Sequence, residues 1–162
     1  MKKYSLEFKW ALIYLVTGLV WIVMEKAAGL HDVNIAKHAQ YTSLFAIPVI
    51  AIYILALYEK RKVFYNGFMS WQDGFKTGII ISIFISILVP VNQLITHYII
   101  SPDYFHNVIE EAIRIGALTR EQALENFSIT NYLVKSITGA LLMGAVSSAI
   151  AALIMMRKEK IH

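Results

Sequence analysis

Residues 78–91 read GIIISIFISILVPV and decide the fold, because no charged side chain interrupts this run. Only Ser82 and Ser86 contribute polar side chains to it. A helix on the surface of a water-soluble bundle needs a polar outer face, and this stretch offers none. We therefore predict a helix surrounded by lipid, which satisfies its backbone hydrogen bonds internally.

Three further apolar segments belong to the same class. A transmembrane helix needs about 20 mainly apolar residues to cross a hydrocarbon core of about 30 Å. Four segments approach this length, at residues 8–24, 41–58, 75–100 and 132–156. The 162-residue chain is 57% hydrophobic and only 16% charged, whereas soluble domains carry about 25% charged residues. The sequence predicts an all-α, four-transmembrane-helix bundle in which residues 1–162 form a single integral membrane domain embedded in the lipid bilayer.

The basic residues predict the orientation of this bundle. Ten of the 15 Lys and Arg residues flank one side of the predicted spans: Lys2, Lys3, Lys9, Lys60, Arg61, Lys62, Lys76, Arg157, Lys158 and Lys160. By the positive-inside rule both termini are cytoplasmic, and the segments 25–40 and 101–131 face outward. The excess of basic residues behind the net charge of +4 therefore has a role in orienting the spans. No nucleic-acid partner is predicted from it. Aromatic residues near the span ends fit the headgroup level: Trp10, Trp21, Tyr41, Tyr58, Trp71, Tyr98, Tyr104 and Tyr132.

The connecting segments carry their own structural signals. Asn66-Gly67 between aromatic residues predicts a short cytoplasmic hairpin with a type I′ turn. In the outer segment 101–131, Ser101-Pro102 predicts the start of an amphipathic helix that stops at Gly116. The pattern from Thr119 to Gln122 predicts the capping box of a second helix.

The third span has a polar face, which is the best sequence clue to function. Helical periodicity places Asn92, Gln93, Thr96 and His97 together, next to a kink expected at Pro90. Lipid cannot satisfy these side chains, so they must face protein or water. At the same outer level we expect Glu25 and Lys135. We predict that these six side chains form one binding region. The sequence does not indicate which of them contact one another.

The fourth span has a stripe of small residues spaced four apart: Ser136, Ala140, Gly144, Ser148 and Ala152. Such spacing lets helix backbones approach closely. It predicts a close crossing either with the third span or with a second copy of the chain.

His31, Asp32 and His38 in the first outer segment are potential ligands of a divalent metal or carriers of a proton. Their spacing matches no established zinc motif. A helix cap with interfacial hydrogen bonds is the simpler interpretation of the same residues.

The pattern as a whole resembles a family of small bacterial membrane proteins, found in the Bacteroidota and known as domain of unknown function 4199. The resemblance covers nearly the whole chain and rests on residues 25–26, 29–32, 41–48, 64–67, 71–78, 102–105 and 139–144. It implies four transmembrane helices in a bacterial inner membrane. It implies no established activity and no catalytic residues.

Three functions follow as hypotheses from different classes. The favoured one is a non-enzymatic structural or accessory component that associates with a second copy or another membrane protein through the small-residue face. Its basis is that stripe together with the absence of cysteines, nucleophile motifs, phosphate loops and cofactor signatures, so no cofactor is predicted. The alternative is a small-molecule or ion carrier using the polar face of the third span. The third is a membrane-embedded metal enzyme using His31, Asp32, His38 and His97.

Overall fold

The structure, a computed structural model, describes residues 4–157. Within that range the chain forms seven α-helices: α1 (Ser5–Ala27), α2 (His38–Thr42), α3 (Ala46–Phe64), α4 (Trp71–Ile95), α5 (Tyr104–Arg114), α6 (Arg120–Asn126) and α7 (Ile129–Met155). Short 3₁₀ turns flank α2, and a π-helical turn, Thr96–Ile100, continues α4.

Four helical segments are long and apolar enough to cross a membrane, namely Ser5–Ala27, Ile35–Phe64, Trp71–Ile100 and Ile129–Met155. The all-α bundle predicted from the apolar runs is confirmed, and the chain is a multi-pass membrane protein. Large apolar side chains such as Val16, Ile87 and Leu142 are exposed on its outer faces, as expected where lipid is the solvent.

The two ends of the bundle differ in what holds them together. At one end, hereafter the terminus end, the Lys60 ammonium donates to the buried Glu7 carboxylate over 2.7 Å. Met69 and Arg157 pair there through two backbone hydrogen bonds. The opposite end, hereafter the loop end, gathers the segments 28–45 and 101–128.

Helices α4 and α7 make the closest crossing, because small residues face each other along both. Three pairs define it. A Cβ atom added at Gly74 would lie 3.1 Å from the Ala152 Cβ atom, and one added at Gly78 would lie 2.5 Å from that of Ser148. One at Gly144 would lie 2.6 Å from the Ser82 Cβ atom. Of the two partners predicted for the small-residue stripe, the structure therefore shows the third span.

The loop between α3 and α4 corrects one expectation. Asn66 and Gly67 have φ angles of 49° and 90°, and the Phe68 N–H donates to the Tyr65 carbonyl over 2.9 Å. The predicted tight turn therefore forms. The predicted hairpin does not form within the described chain, because α3 stays helical up to the turn and Met69 pairs with Arg157 instead.

The outer segment contains the two predicted helices. The capping box at Thr119 is present with both of its hydrogen bonds, and Gly116 follows α5 with a φ of 69°. The first helix begins at Tyr104 rather than at Pro102. Ser101 instead ends the π-helical turn, its N–H donating to the Thr96 carbonyl over 2.8 Å.

Candidate functional site

A cavity of about 250 Å³ lies inside the loop end of the bundle. It is called the loop-end cavity below. Side chains from α1, α2, α4 and α7 surround it, and Tyr104 of α5 also lines it. Its polar lining residues are Tyr14, Trp21, Glu25, His31, His38, Thr42, Asn92, Gln93, Thr96, Tyr104, Tyr132 and Ser136. A polar cavity of this size inside an apolar bundle is where the protein can hold a small molecule or ion.

Glu25 and two histidines form a compact group on the cavity wall, hereafter the Glu25 cluster (Glu25, His31, His38). The Glu25 Oε2 atom lies 3.6 Å from the His31 Nε2 atom and 3.7 Å from the His38 Nε2 atom. The indole N–H of Trp21 donates to the other carboxylate oxygen, Oε1, over 2.8 Å. Glu25 and His31 are only 5% and 4% exposed, so protein atoms rather than water set their electrostatic environment.

A tight turn brings His31 back over the end of α1. Gly29 adopts a φ of 72°, a conformation that glycine reaches without steric cost. A Cβ atom there would also lie 2.8 Å from a methyl carbon of Val33. The Leu30 N–H then donates to the Glu25 carbonyl over 2.9 Å, so the next side chain points towards the Glu25 carboxylate.

The imidazole rings are held from the side opposite to Glu25. The His31 Nδ1 atom lies 2.9 Å from the Ser101 hydroxyl, and the Asn107 amide donates to the His31 carbonyl over 2.9 Å. The His38 Nδ1 atom lies 3.4 Å from the Tyr104 hydroxyl. Burial raises the pKa of Tyr104 above its usual value, so this hydroxyl stays protonated. Both imidazoles therefore direct their Nε2 atoms at Glu25.

The third span supplies the cavity wall facing the Glu25 cluster. The Asn92 amide donates to the Leu15 carbonyl of α1 over 2.9 Å, which ties α4 to α1. The Thr96 hydroxyl donates to the Asn92 carbonyl over 2.8 Å. Gln93 and Ser136 complete this polar wall. The part of the small-residue stripe nearest the loop end, Ser136 and Ala140, therefore lines the cavity and does not belong to the close crossing.

Three residues grouped with this region on sequence grounds lie elsewhere. The His97 ring stacks on that of Phe105, with centroids 4.7 Å apart, because the π-helical turn changes the angular position of residues after Ile95. The exposed Lys135 reaches back to the Asn126 side-chain oxygen at 3.1 Å. Asp32 is exposed and accepts a hydrogen bond from the Val33 N–H over 2.5 Å.

Sequence reasoning assigned several cavity residues to other roles. Trp21, Tyr104 and Tyr132 were expected at the headgroups, yet they line the cavity. Ser101 was expected to cap a helix, yet it holds His31. A partial signal existed for Trp21, because it lies one helical turn before Glu25 and side chains four apart share a face. Ser101 gave no comparable signal, since its partner is 70 residues away.

A family model described as protein of unknown function (DUF4199) matches residues 9–157. The chain belongs to this family. The DUF4199 match spans the four transmembrane segments and the whole Glu25 cluster, and its description names no activity. Comparisons with curated proteins and with solved structures found no match.

Proposed function

We propose that this DUF4199 protein is a non-enzymatic membrane protein that binds a small polar ligand in the loop-end cavity. The observation that carries the proposal is the cavity itself, which combines about 250 Å³ of space with a carboxylate, two imidazoles and two amides. Polar side chains inside a membrane bundle are costly unless they serve a partner or a ligand. Asn92 is tied to the Leu15 carbonyl. The Glu25 cluster has partners in Trp21, Ser101 and Tyr104, yet it also borders the open space of the cavity, as does Gln93.

Packing below the cavity favours binding over transport. The Tyr53 and Ser82 hydroxyls are buried and lie 2.7 Å apart beside Gly144. Between them and the terminus end, the small-residue pairs of α4 and α7 are in close contact. A second cavity of about 200 Å³, lined in part by Tyr53 and Gly144, adjoins the loop-end cavity. Beyond it the crossing of α4 and α7 is closed by the Gly78–Ser148 and Gly74–Ala152 contacts. This closed crossing is the reason to prefer a binding role to the carrier hypothesis.

The orientation of the cavity is part of the proposal. The basic residues concentrate at the terminus end, which favours a cytoplasmic location for both termini. The loop-end cavity then opens on the outer side of a bacterial inner membrane, the location that the family resemblance implies. The same family resemblance leads us to propose that the protein comes from the Bacteroidota.

Association through the small-residue stripe takes a smaller place in this proposal. Gly144, Ser148 and Ala152 are buried against α4 of the same chain, which leaves them no free surface for a second copy. A partner protein would have to bind another face of the bundle. Ligand binding is accordingly the function that we put first.

Access of a small polar solute to the cavity tests the proposal. Trp21 lines the cavity, so its fluorescence should be quenched by acrylamide in a Trp10→Phe/Trp71→Phe background reconstituted in lipid nanodiscs. A Cβ atom added at Gly139, which also lines the cavity, would meet no atom within 4 Å. Gly139→Leu should therefore fill the cavity without disturbing the fold, and quenching of Trp21 should fall sharply.

The matched control is Thr138→Leu, which adds a leucine at the neighbouring, exposed position. Quenching in this variant should equal that in the Trp21-only background. If Gly139→Leu is quenched as strongly as Thr138→Leu, the solute does not enter through the cavity and the proposed binding function fails.

A further inference from the structure

We infer that the Glu25 cluster is a binding site for a divalent transition-metal ion of the Zn²⁺ type. This inference rests on the proposed function, because all three side chains line the loop-end cavity and the metal is the ligand class it assigns. The ligand atoms of Glu25, His31 and His38 all lie within 4.8 Å of one another.

The distances within the cluster fit a shared cation better than direct hydrogen bonds. The two separations between Glu25 Oε2 and the imidazole Nε2 atoms, 3.6 and 3.7 Å, exceed the 2.7–3.2 Å of normal N–H···O bonds. Two ligands at about 2.0–2.1 Å from a tetrahedral zinc ion lie about 3.4 Å from each other. A contraction of a few tenths of an ångström would bring the two Glu25–imidazole pairs to that spacing. The ligand atoms of the two histidines, which lie within 4.8 Å of each other, would have to approach to the same distance.

The hydrogen bonds around the cluster accommodate the metal-binding tautomer of each histidine, because a hydroxyl oxygen can accept from an Nδ1–H group. When the His31 Nδ1–H group donates to Ser101 and the His38 Nδ1–H group donates to Tyr104, both Nε2 atoms present lone pairs. These lone pairs then converge on the carboxylate oxygen of Glu25, and a cation at the centre would satisfy all three groups. The opposite tautomers would instead direct Nε2–H groups at Glu25, and the metal titration below distinguishes the two arrangements. Such outer partners usually fix the ring orientation of metal-binding histidines.

The charge of the buried carboxylate points the same way. Buried charges are strongly disfavoured without a partner. Within residues 4–157 the Glu25 carboxylate has the Trp21 indole and the two imidazoles beside it, but no Lys or Arg forms an ion pair with it. The adjacent Lys26 side chain donates to the Ile100 carbonyl instead. A bound divalent cation would place a positive charge directly between the carboxylate and the two imidazoles.

The donor set selects the class of metal. Two imidazole nitrogens with one carboxylate oxygen suit Zn²⁺ and its first-row neighbours, whereas Ca²⁺ and Mg²⁺ take mainly oxygen ligands. Three protein ligands leave a fourth position for water or for a donor atom of a bound solute. That fourth ligand would come from the loop-end cavity.

Metal titration of the full-length protein tests the site. Chelator-stripped protein in nanodiscs is titrated with Zn²⁺ against a chromophoric competitor, and Co²⁺ serves as a spectroscopic probe of coordination. We expect one ion per chain, with a tetrahedral Co²⁺ spectrum. His31→Ala, His38→Ala and Glu25→Gln should each lower the affinity by at least tenfold. The matched control is His106→Ala, because His106 is an exposed histidine of the same loop end and its removal should leave the affinity unchanged.

Ser101→Ala tests a residue that orients His31 without being a proposed metal ligand. It also keeps the proposal testable if the variants of the ligands themselves do not fold. Loss of an outer partner costs roughly 10–100-fold in metal affinity, so this variant should bind one ion more weakly, with the Co²⁺ spectrum retained. Unchanged affinity in Ser101→Ala, or equal binding by wild type and His31→Ala, would overturn the assignment.

The two proposals fail in different ways. Wild-type protein that takes up no Zn²⁺ while acrylamide still quenches Trp21 overturns the metal site and leaves the ligand cavity standing. One bound Zn²⁺ in a protein whose Trp21 is shielded in both Gly139→Leu and Thr138→Leu supports the metal site and overturns the wider cavity function.

Discussion

Gly144→Ala is the sharpest test of the packing between α4 and α7. The added methyl group would lie 2.6 Å from the Ser82 Cβ atom and 2.8 Å from the Tyr53 hydroxyl. The first distance is about 0.8 Å short of the 3.4 Å at which ordinary contact begins. The helices must separate or the Tyr53–Ser82 hydrogen bond must break.

The magnitude follows from these two effects. Overpacking of a core costs about 1–3 kcal/mol, and loss of one hydrogen bond adds about 0.5–1.5 kcal/mol. Gly139→Ala makes the same chemical change on the same helix at a position with open space, so the helix propensity of alanine cancels between the two variants. We expect Gly144→Ala to be less stable than Gly139→Ala by about 2–4 kcal/mol.

Equilibrium unfolding in mixed micelles of detergent and denaturing surfactant measures this difference. A second substitution sharpens the result, because Ser82→Gly removes the atoms that obstruct the new methyl group. It should destabilise the wild-type protein, which loses the Tyr53 hydrogen bond, and stabilise the Gly144→Ala variant. Equal stabilities of Gly144→Ala and Gly139→Ala, or a Ser82→Gly effect of the same sign in both backgrounds, would refute the reasoning.

Three further predictions concern other contacts. Lys60→Met should lower the free energy of unfolding by about 3–5 kcal/mol because it leaves the Glu7 charge buried and unpaired, and Glu7→Gln added to it should recover most of the loss in a thermal melt. Asn92→Ala should cost about 0.6–1.7 kcal/mol, the range for hydrogen bonds between membrane helices, since its bond to the Leu15 carbonyl is lost; a larger loss in the same melt would indicate a repacked cavity. Gly67→Ala should cost about 1–2 kcal/mol through its positive φ alone, and a chain that melts unchanged would show that the turn relaxes.

The spans and the helix crossing could be predicted from the sequence because each follows from a local pattern. An uninterrupted apolar run such as 78–91 is stable as a helix surrounded by lipid. Small residues spaced four apart allow two helix backbones to approach closely. The identity of the partner helix could not be predicted, because a stripe on α7 is satisfied equally by α4 or by a second copy. The facing glycines, Gly74 and Gly78, decide the matter only once the register of the two helices is known.

The candidate site was only partly predictable, because it depends on turns and on contacts between distant loops. Regular helical periodicity placed His97 near Gln93, at the edge of the polar face. A π-helical turn begins at Thr96, and the His97 ring stacks on Phe105 outside the cavity. Glu25 and His31 were assigned to different groups, and the backbone turn at Gly29 that unites them is not encoded by any spacing rule. Lys135 lies near the right level, yet its long side chain reaches the end of α6.

The Glu25 cluster is assembled from parts of the chain that emerge from the ribosome far apart. Its donors come from the first span, the turn after it and the start of the second span. Ser101 and Tyr104, which orient them, follow the third span. A nascent chain that ends before α4 therefore contains the donor atoms but lacks the groups that orient them. Occupancy of the proposed metal site would then report that the first three of the four spans have inserted and docked.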